Sequence, residues 1–203
     1  MKAPLKITIA FTLAALLLAG CSVVQPTRAP EASYDFGPPP AAIAGAKLDK
    51  TVVLYDATAP VWLDVPHLHY RLSQSAPAQP RNYANSNWVM SPVALFTLRL
   101  KGRLADAGKG VFSPGDGVRA DLALRVEVEE FTQVFDSPTA SRGQVRVRAS
   151  LSGGRDAPVQ KTFSVDRPAA TADADGGAKA LIAASDEAIR QIVEWMAASG
   201  KGR

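Results

Sequence analysis

From residue 50 onward the chain alternates between two hydrophobic rhythms, and the switches between them mark its expected elements. "TVVLYD" (51–56) is short, β-branched and apolar, the signature of a buried strand. In "HLHYRLS", Leu68, Tyr70 and Leu72 alternate with His67, His69 and Arg71, which predicts a half-buried strand. The polar stretch "QSAPAQPRNYANSN" reads as a loop. "SPVALFTLRLKGRLADAG" then changes to helical spacing. Ser91 is placed to cap it, Pro92 occupies the first turn, and Val93, Phe96, Leu100 and Leu104 form one apolar face before a stop at Gly108. Gly102 weakens this helix by about 1 kcal/mol relative to alanine, so packing has to hold it.

Period two returns in three runs. Leu122, Leu124, Val126 and Val128 alternate with Arg125, Glu127 and Glu129; Val145, Val147, Ala149 and Leu151 alternate with Arg146 and Arg148. Val159, Phe163 and Val165 share a third face that Lys161 interrupts. With "DSPTASRG" and "GGRDAP" as turns, the runs predict an antiparallel meander. After "TADADGG", read as flexible, "AKALIAASDEAIRQIVEWMAAS" places Ile182, Ser185, Ile189, Ile192, Val193 and Met196 on one side of a helix ending at Gly200. The expected fold is α/β (α+β): a two-layer sandwich of a mixed sheet with an antiparallel meander and two main amphipathic helices.

The first residues have a different character. Lys2 and Lys6 precede an apolar segment, 7–19, that is shorter than the roughly 20 residues of a membrane-spanning helix. It ends in Leu-Ala-Gly-Cys, which resembles a bacterial lipobox: residues 1–20 as signal peptide, cleavage between Gly20 and Cys21, and a diacylglycerol on Cys21, usually with a third acyl chain such as palmitate on its amine. Two or more chains hold a protein firmly where one does so only marginally. Ser22, rather than Asp, follows the cysteine and points to the periplasmic side of the outer membrane. Residues 21–48 carry Pro26, Pro30 and a proline triplet at 38–40 with no regular period, and read as an extended, solvated tether; Tyr34 and Phe36 could dock on a partner. The folded domain is then 49–199, and 200–203 a tail.

Composition is globular, with 47% apolar and 21% charged residues. Removing Lys2 and Lys6 with the signal leaves 21 basic residues against 19 acidic ones, too even a balance for nucleic acid. Cys21 is the single cysteine, so no internal disulfide forms.

Chemistry is sparse. His67 and His69, two apart on one strand face, could offer two metal ligands, but no third is evident nearby, although Asp64 is close in sequence. There is no Gly-x-Ser-x-Gly, no phosphate loop and no dinucleotide fingerprint; "SPGDGV" is a turn. Glu129 and Glu130 fall on opposite faces of a strand, the wrong arrangement for acid–base work. No cofactor, metal or catalytic residue is expected. Trp88 and Trp195 suit a core, and Trp62 suits a core or a contact surface.

Taken in order, these segments resemble the ABC-type transport auxiliary lipoproteins, the PqiC-like family. "WLDVPHLHYRLS" matches the family's (Y/W)LDRPQIVYR segment, contributing Trp62, Leu63, Asp64, Pro66, Tyr70 and Arg71; Trp88 and Pro92 match its Arg-Trp-x-x-Pro, with Asn87 in place of the arginine and the proline displaced by one. The resemblance runs from about Lys50 to Met196. It implies a non-enzymatic outer-membrane lipoprotein of an MCE/ABC-type lipid (phospholipid) transport system, with an MCE-domain protein and an ABC permease or ATPase as partners, and it allows a ring-shaped homo-oligomer. Two alternatives stand beside it: a periplasmic lipid-binding carrier, which needs an apolar cavity, and a periplasmic hydrolase.

Overall fold

The computed structural model describes residues 31–43, 45–153 and 156–199. The expected cleavage site, Gly20 and Cys21, and the expected helix stop, Gly200, lie outside them. The order of elements is β1 (Ala32–Tyr34), β2 (Val52–Leu54), β3 (His67–Leu72), β4 (Ala76–Trp88), α1 (Pro92–Ala107), β5 (Val111–Phe112), β6 (Leu122–Ser137), β7 (Ala140–Gly153), β8 (Asp156–Pro168) and α2 (Ala174–Ser199).

The long strand β6 organises the sheet. Along one edge it pairs antiparallel with β7, which pairs with β8. Its other edge is shared: its first residues pair with β2, and its last ones with β3, both parallel. β5 continues outward from β2, and β4 and then β1 continue from β3. Both expected helices form and pack with one sheet face into a single core, the mixed two-layer sandwich read from the sequence.

The meander follows its pattern closely. Leu122, Leu124, Val126, Val128, Val145, Val147, Ala149 and Leu151 are all buried, while Arg125, Glu127 and Arg146 face solvent. On β8, Phe163 and Val165 are buried but Val159 is 46% exposed. The hairpin joining β6 and β7 is tighter than "DSPTASRG" suggested, with only Pro138 and Thr139 outside the strands. In α1 the Ser91 hydroxyl accepts from the N–H groups of Val93 and Ala94 at 3.1 and 3.4 Å, and the four expected apolar residues are buried. Gly108 is the C-cap.

Several expectations are corrected. "QSAPAQPRNYANSN" is mostly strand β4, not a loop. Residues 77–82 are exposed and β1 covers only Ser86–Trp88, so this edge tolerates prolines and polar residues that a central strand would not. A register shift between His67 and His69 breaks their shared face: His67 is exposed, whereas His69 is buried. A second shift at Glu129 places both Glu129 and Glu130 against Arg146, rather than on opposite faces.

"TADADGG" is not flexible. The Asp173 carboxylate accepts from the Gly176 N–H at 2.8 Å and starts α2 within that stretch. A Cβ on Gly177 would fall 2.0 Å from the end of the Gln133 side chain, so a larger residue in this first turn would displace the Gln133 amide from its hydrogen bonds. The buried face of α2 is Leu181, Ala184, Ser185, Ala188, Ile189, Ile192, Val193 and Met196, with Ile182 only half-buried.

The largest correction concerns the proline-rich stretch, which packs from Ala32 onward. β1 pairs with β4, and Phe36, Ala46 and Leu48 join the core. Apolar burial at these three positions outweighs the extended bias of the prolines between them.

Candidate functional site

Two braces, both built from charged or aromatic side chains, distinguish this surface from a generic sandwich. The first gathers the expected motif residues. Pro60 turns the chain, its carbonyl accepting from the N–H groups of Leu63 and Asp64, and Leu63 is completely buried. Asp64 accepts a hydrogen bond from the Ser91 hydroxyl at 2.5 Å and so ties the turn to the cap of α1. The Pro66 carbonyl accepts from the Trp88 N–H at 2.8 Å. Arg71 lies 5.0 Å from the centre of the Trp62 ring and bridges to Glu130 at 3.5 Å. Trp62 also meets the edge of His69 at 5.5 Å. Tyr70 stands apart from these, packed against Tyr83 and Phe135.

Trp88 lies deeper. It is 2% exposed and packs edge-on against Tyr34, Phe36 and Phe131 at 5.6–6.2 Å. Asn87 meets the His67 ring, Oδ1 to Nδ1, at 3.2 Å. Of the expected motif residues, therefore, Trp62, Asp64, Pro66, Arg71 and Trp88 fasten the β2–β3 connection to β4, β6 and α1; Leu63 fills the core beneath, and Tyr70 fills the far end of β3. Burial lowers the His69 pKa, helped by the nearby His67, so this ring is held neutral.

The second brace was not visible in the sequence. Residues 36–40 cross α1 as a strap, held by two buried arginines. Arg99 donates to the carbonyls of Phe36 and Gly37, and Arg103 donates to that of Pro40 at 2.7 Å. Arg99 also faces Asp186 of α2 at 3.6 Å. Burial raises the Asp186 pKa although Arg99 and Arg103 oppose the rise. Two arginines four apart on one helix were the available signal, but nothing in the sequence paired them with a proline-rich stretch 62–63 residues earlier.

The polar interior is hydrogen-bonded within itself. Gln133, fully buried, accepts from the Tyr83 hydroxyl at 2.9 Å and donates to Ser141 and to the Asp173 carbonyl. Burial pushes the Tyr83 pKa up to about 12. Glu129 is neutralised by Arg146 and Arg148. Among the described residues no group of three or more His, Cys, Asp or Glu could hold a metal, and no helix is long and apolar enough to cross a membrane. The depressions beside the strap, about 360 and 590 Å³, are open to solvent and bordered by Arg103 and Asp106, or by Arg167, Asp186 and Arg190.

The distinctive side chains of this sandwich thus fasten its loops to its sheet and helices. The family model described as "ABC-type transport auxiliary lipoprotein component" matches residues 34–196, and the chain belongs to this family. It is thus an auxiliary lipoprotein component of ABC-type transport, a membrane-anchored envelope protein whose family is not an enzyme class. No curated protein matches the chain. Among solved structures, protein XCC0632 from Xanthomonas campestris superposes with a TM-score of 0.73 at 17% identity, covering 85% of this chain and 97% of that one. An uncharacterized protein gives a TM-score of 0.65 at 14% identity, covering 82% and 99%. At such identities these likenesses concern the fold alone.

Proposed function

We propose that this protein is the outer-membrane lipoprotein subunit of an MCE/ABC-type intermembrane lipid transport system, docking the MCE assembly at the membrane and so supporting envelope integrity. Phospholipid is its cargo class, and its partners are an MCE-domain protein with its ABC permease and ATPase. Membership of the auxiliary lipoprotein family across 34–196 carries this reading. The lipobox supports it, because acyl chains on Cys21 hold the domain at a bilayer, and Ser22 favours the outer one. The filled interior supports docking over carrying. Leu124, Val128, Val145, Val147, Leu181 and Ile192, all completely buried, occupy the space between sheet and helices that a carrier would open for acyl chains.

Crosslinking in intact cells, followed by affinity capture of the tagged full chain from solubilised membranes, tests the proposal. Recovery of an MCE-domain protein together with its permease is expected. Capture of the chain without either partner would refute it.

A further inference from the structure

Two hairpins meet at one end of the sheet. Where β3 turns into β4 and β6 turns into β7, Leu72 and Phe135 sit side by side in the parallel register. With Gln74, Ser75 and Pro138 they line an open cleft of about 440 Å³, mainly apolar in its walls. Its charged neighbour, Asp136, is paired with Arg142. The segments that form this rim, "SQSAPAQP" (73–80) and "SPTAS" (137–141), contain no charged residue. Charged side chains reach this end from β8 and the start of α2 instead, as Arg167, Asp173, Asp175 and Lys179. At the opposite end, where β6 begins, Lys109, Asp116, Arg119 and Asp121 are all exposed. A solvent-open, mainly apolar cleft rimmed by small polar residues suits an interaction site.

The path of the chain says what meets it. β1 runs parallel to β4, with Ala32 opposite Ser86, and β4 starts at this hairpin end. The chain therefore enters the fold at Glu31 on the side facing that end. From Ser86 back to Ala76 is ten residues, about 33 Å of strand. From Cys21 to Ala32 is eleven residues, at most about 40 Å of chain. Because β1 and the strap are docked, the stretch between Cys21 and the domain is shorter than a tether lasting to Lys47. That length is just enough to bring the hairpin end to a bilayer.

We infer that the β3–β4 and β6–β7 hairpin end is the membrane-facing surface of the domain, with the Leu72–Phe135 cleft seated on the acyl chains of the leaflet that holds the anchor. This rests on the lipid-anchor part of the proposed function and not on the MCE partner. It leaves the end where β6 begins directed away from the lipid.

The test uses the lipidated full chain. Acylation blocks the thiol of Cys21, so a cysteine introduced at Ser75→Cys or Val118→Cys carries the only label. Each labelled protein is reconstituted into phosphatidylethanolamine–phosphatidylglycerol vesicles doped with lipids bearing nitroxides on their acyl chains. Quenching at position 75 at least about twofold stronger than at position 118 is expected. Pro138→Asp, a charge at an exposed loop tip, is expected to reduce quenching at 75 while flotation with the vesicles persists. Equal quenching at both positions, none at either, a Pro138→Asp variant that quenches fully, or crosslinking between copies through position 75 would each overturn the inference while the anchor stands. Failure of the unsubstituted chain to float would overturn the anchor reading and this inference together.

Discussion

The two halves of this sheet are built differently. In the meander, β6, β7 and β8 pair with their neighbours in sequence across short turns, and alternating apolar residues are enough to define the buried face. In the other half the pairings are distant: Ala32 with Ser86, Val52 with Leu122, Tyr70 with Gln133. Strands of two or three residues, such as β1, β2 and β5, cannot hold such pairings alone. Specific side chains take over: Asp64 on Ser91, Arg71 between Trp62 and Glu130, Arg99 and Arg103 on the strap. The motif that makes the family recognisable therefore lies in the half that needs bracing. A recognisable motif here reports how the domain is held together before it reports what the domain touches.

That contrast can be broken most severely at Trp88. Trp88→Ala is expected to cost about 3–5 kcal/mol in urea unfolding, because the side chain joins β1, the strap and β6. A loss below about 1 kcal/mol would mean that the distant pairings stand without their braces. In the meander the vulnerable point is one of packing distance. A Cβ on Gly143 would lie 2.6 Å from the backbone of Ala180 and Leu181, so Gly143→Ala is expected to cost about 2–3 kcal/mol by forcing α2 off the sheet.

Replacing Arg99 and Arg103 together by alanine is expected to cost about 2 kcal/mol and to act locally. Hydrogen exchange and limited proteolysis should increase within 31–48 while β6–β8 keep their protection. Uniform loosening would contradict the separation of the halves. The smallest effect is in pH. Hydrogen bonds from Arg190 hold the Glu187 pKa down from 4.5 to about 2. Since the folded value is the lower one, the stability from this pair is complete above pH 4.5 and lost as pH falls toward 2. The loss is about 1 kcal/mol after allowance for solvent screening, and it should vanish in Glu187→Gln. Asp186, next to it, has the opposite sign: burial raises its pKa, so its contribution is present in acid and is lost as pH rises through the folded value.

The same division explains what the sequence revealed. Alternation at 122–128 and 145–151, the cap at Ser91 and the faces of both helices follow from local periodicity, and the structure agrees with them. β4 was hidden because an uncovered edge places no apolar demand on its residues, and Pro77 and Pro80 removed the remaining signal. The strap was hidden because its hold comes from backbone carbonyls taken up by arginines distant in sequence, a contact with no period. The bulges beside His69 and Glu129 are single-residue register events that alternation cannot foresee.

Docking rather than carrying is the central claim, and native mass spectrometry of the chain purified from membranes tests it most directly. The expected species has the mass of the polypeptide from Cys21 plus its covalent acyl groups, with no phospholipid released when the protein is unfolded. One phospholipid bound per chain and released on unfolding would contradict the account, because the filled interior would then have to open around a ligand.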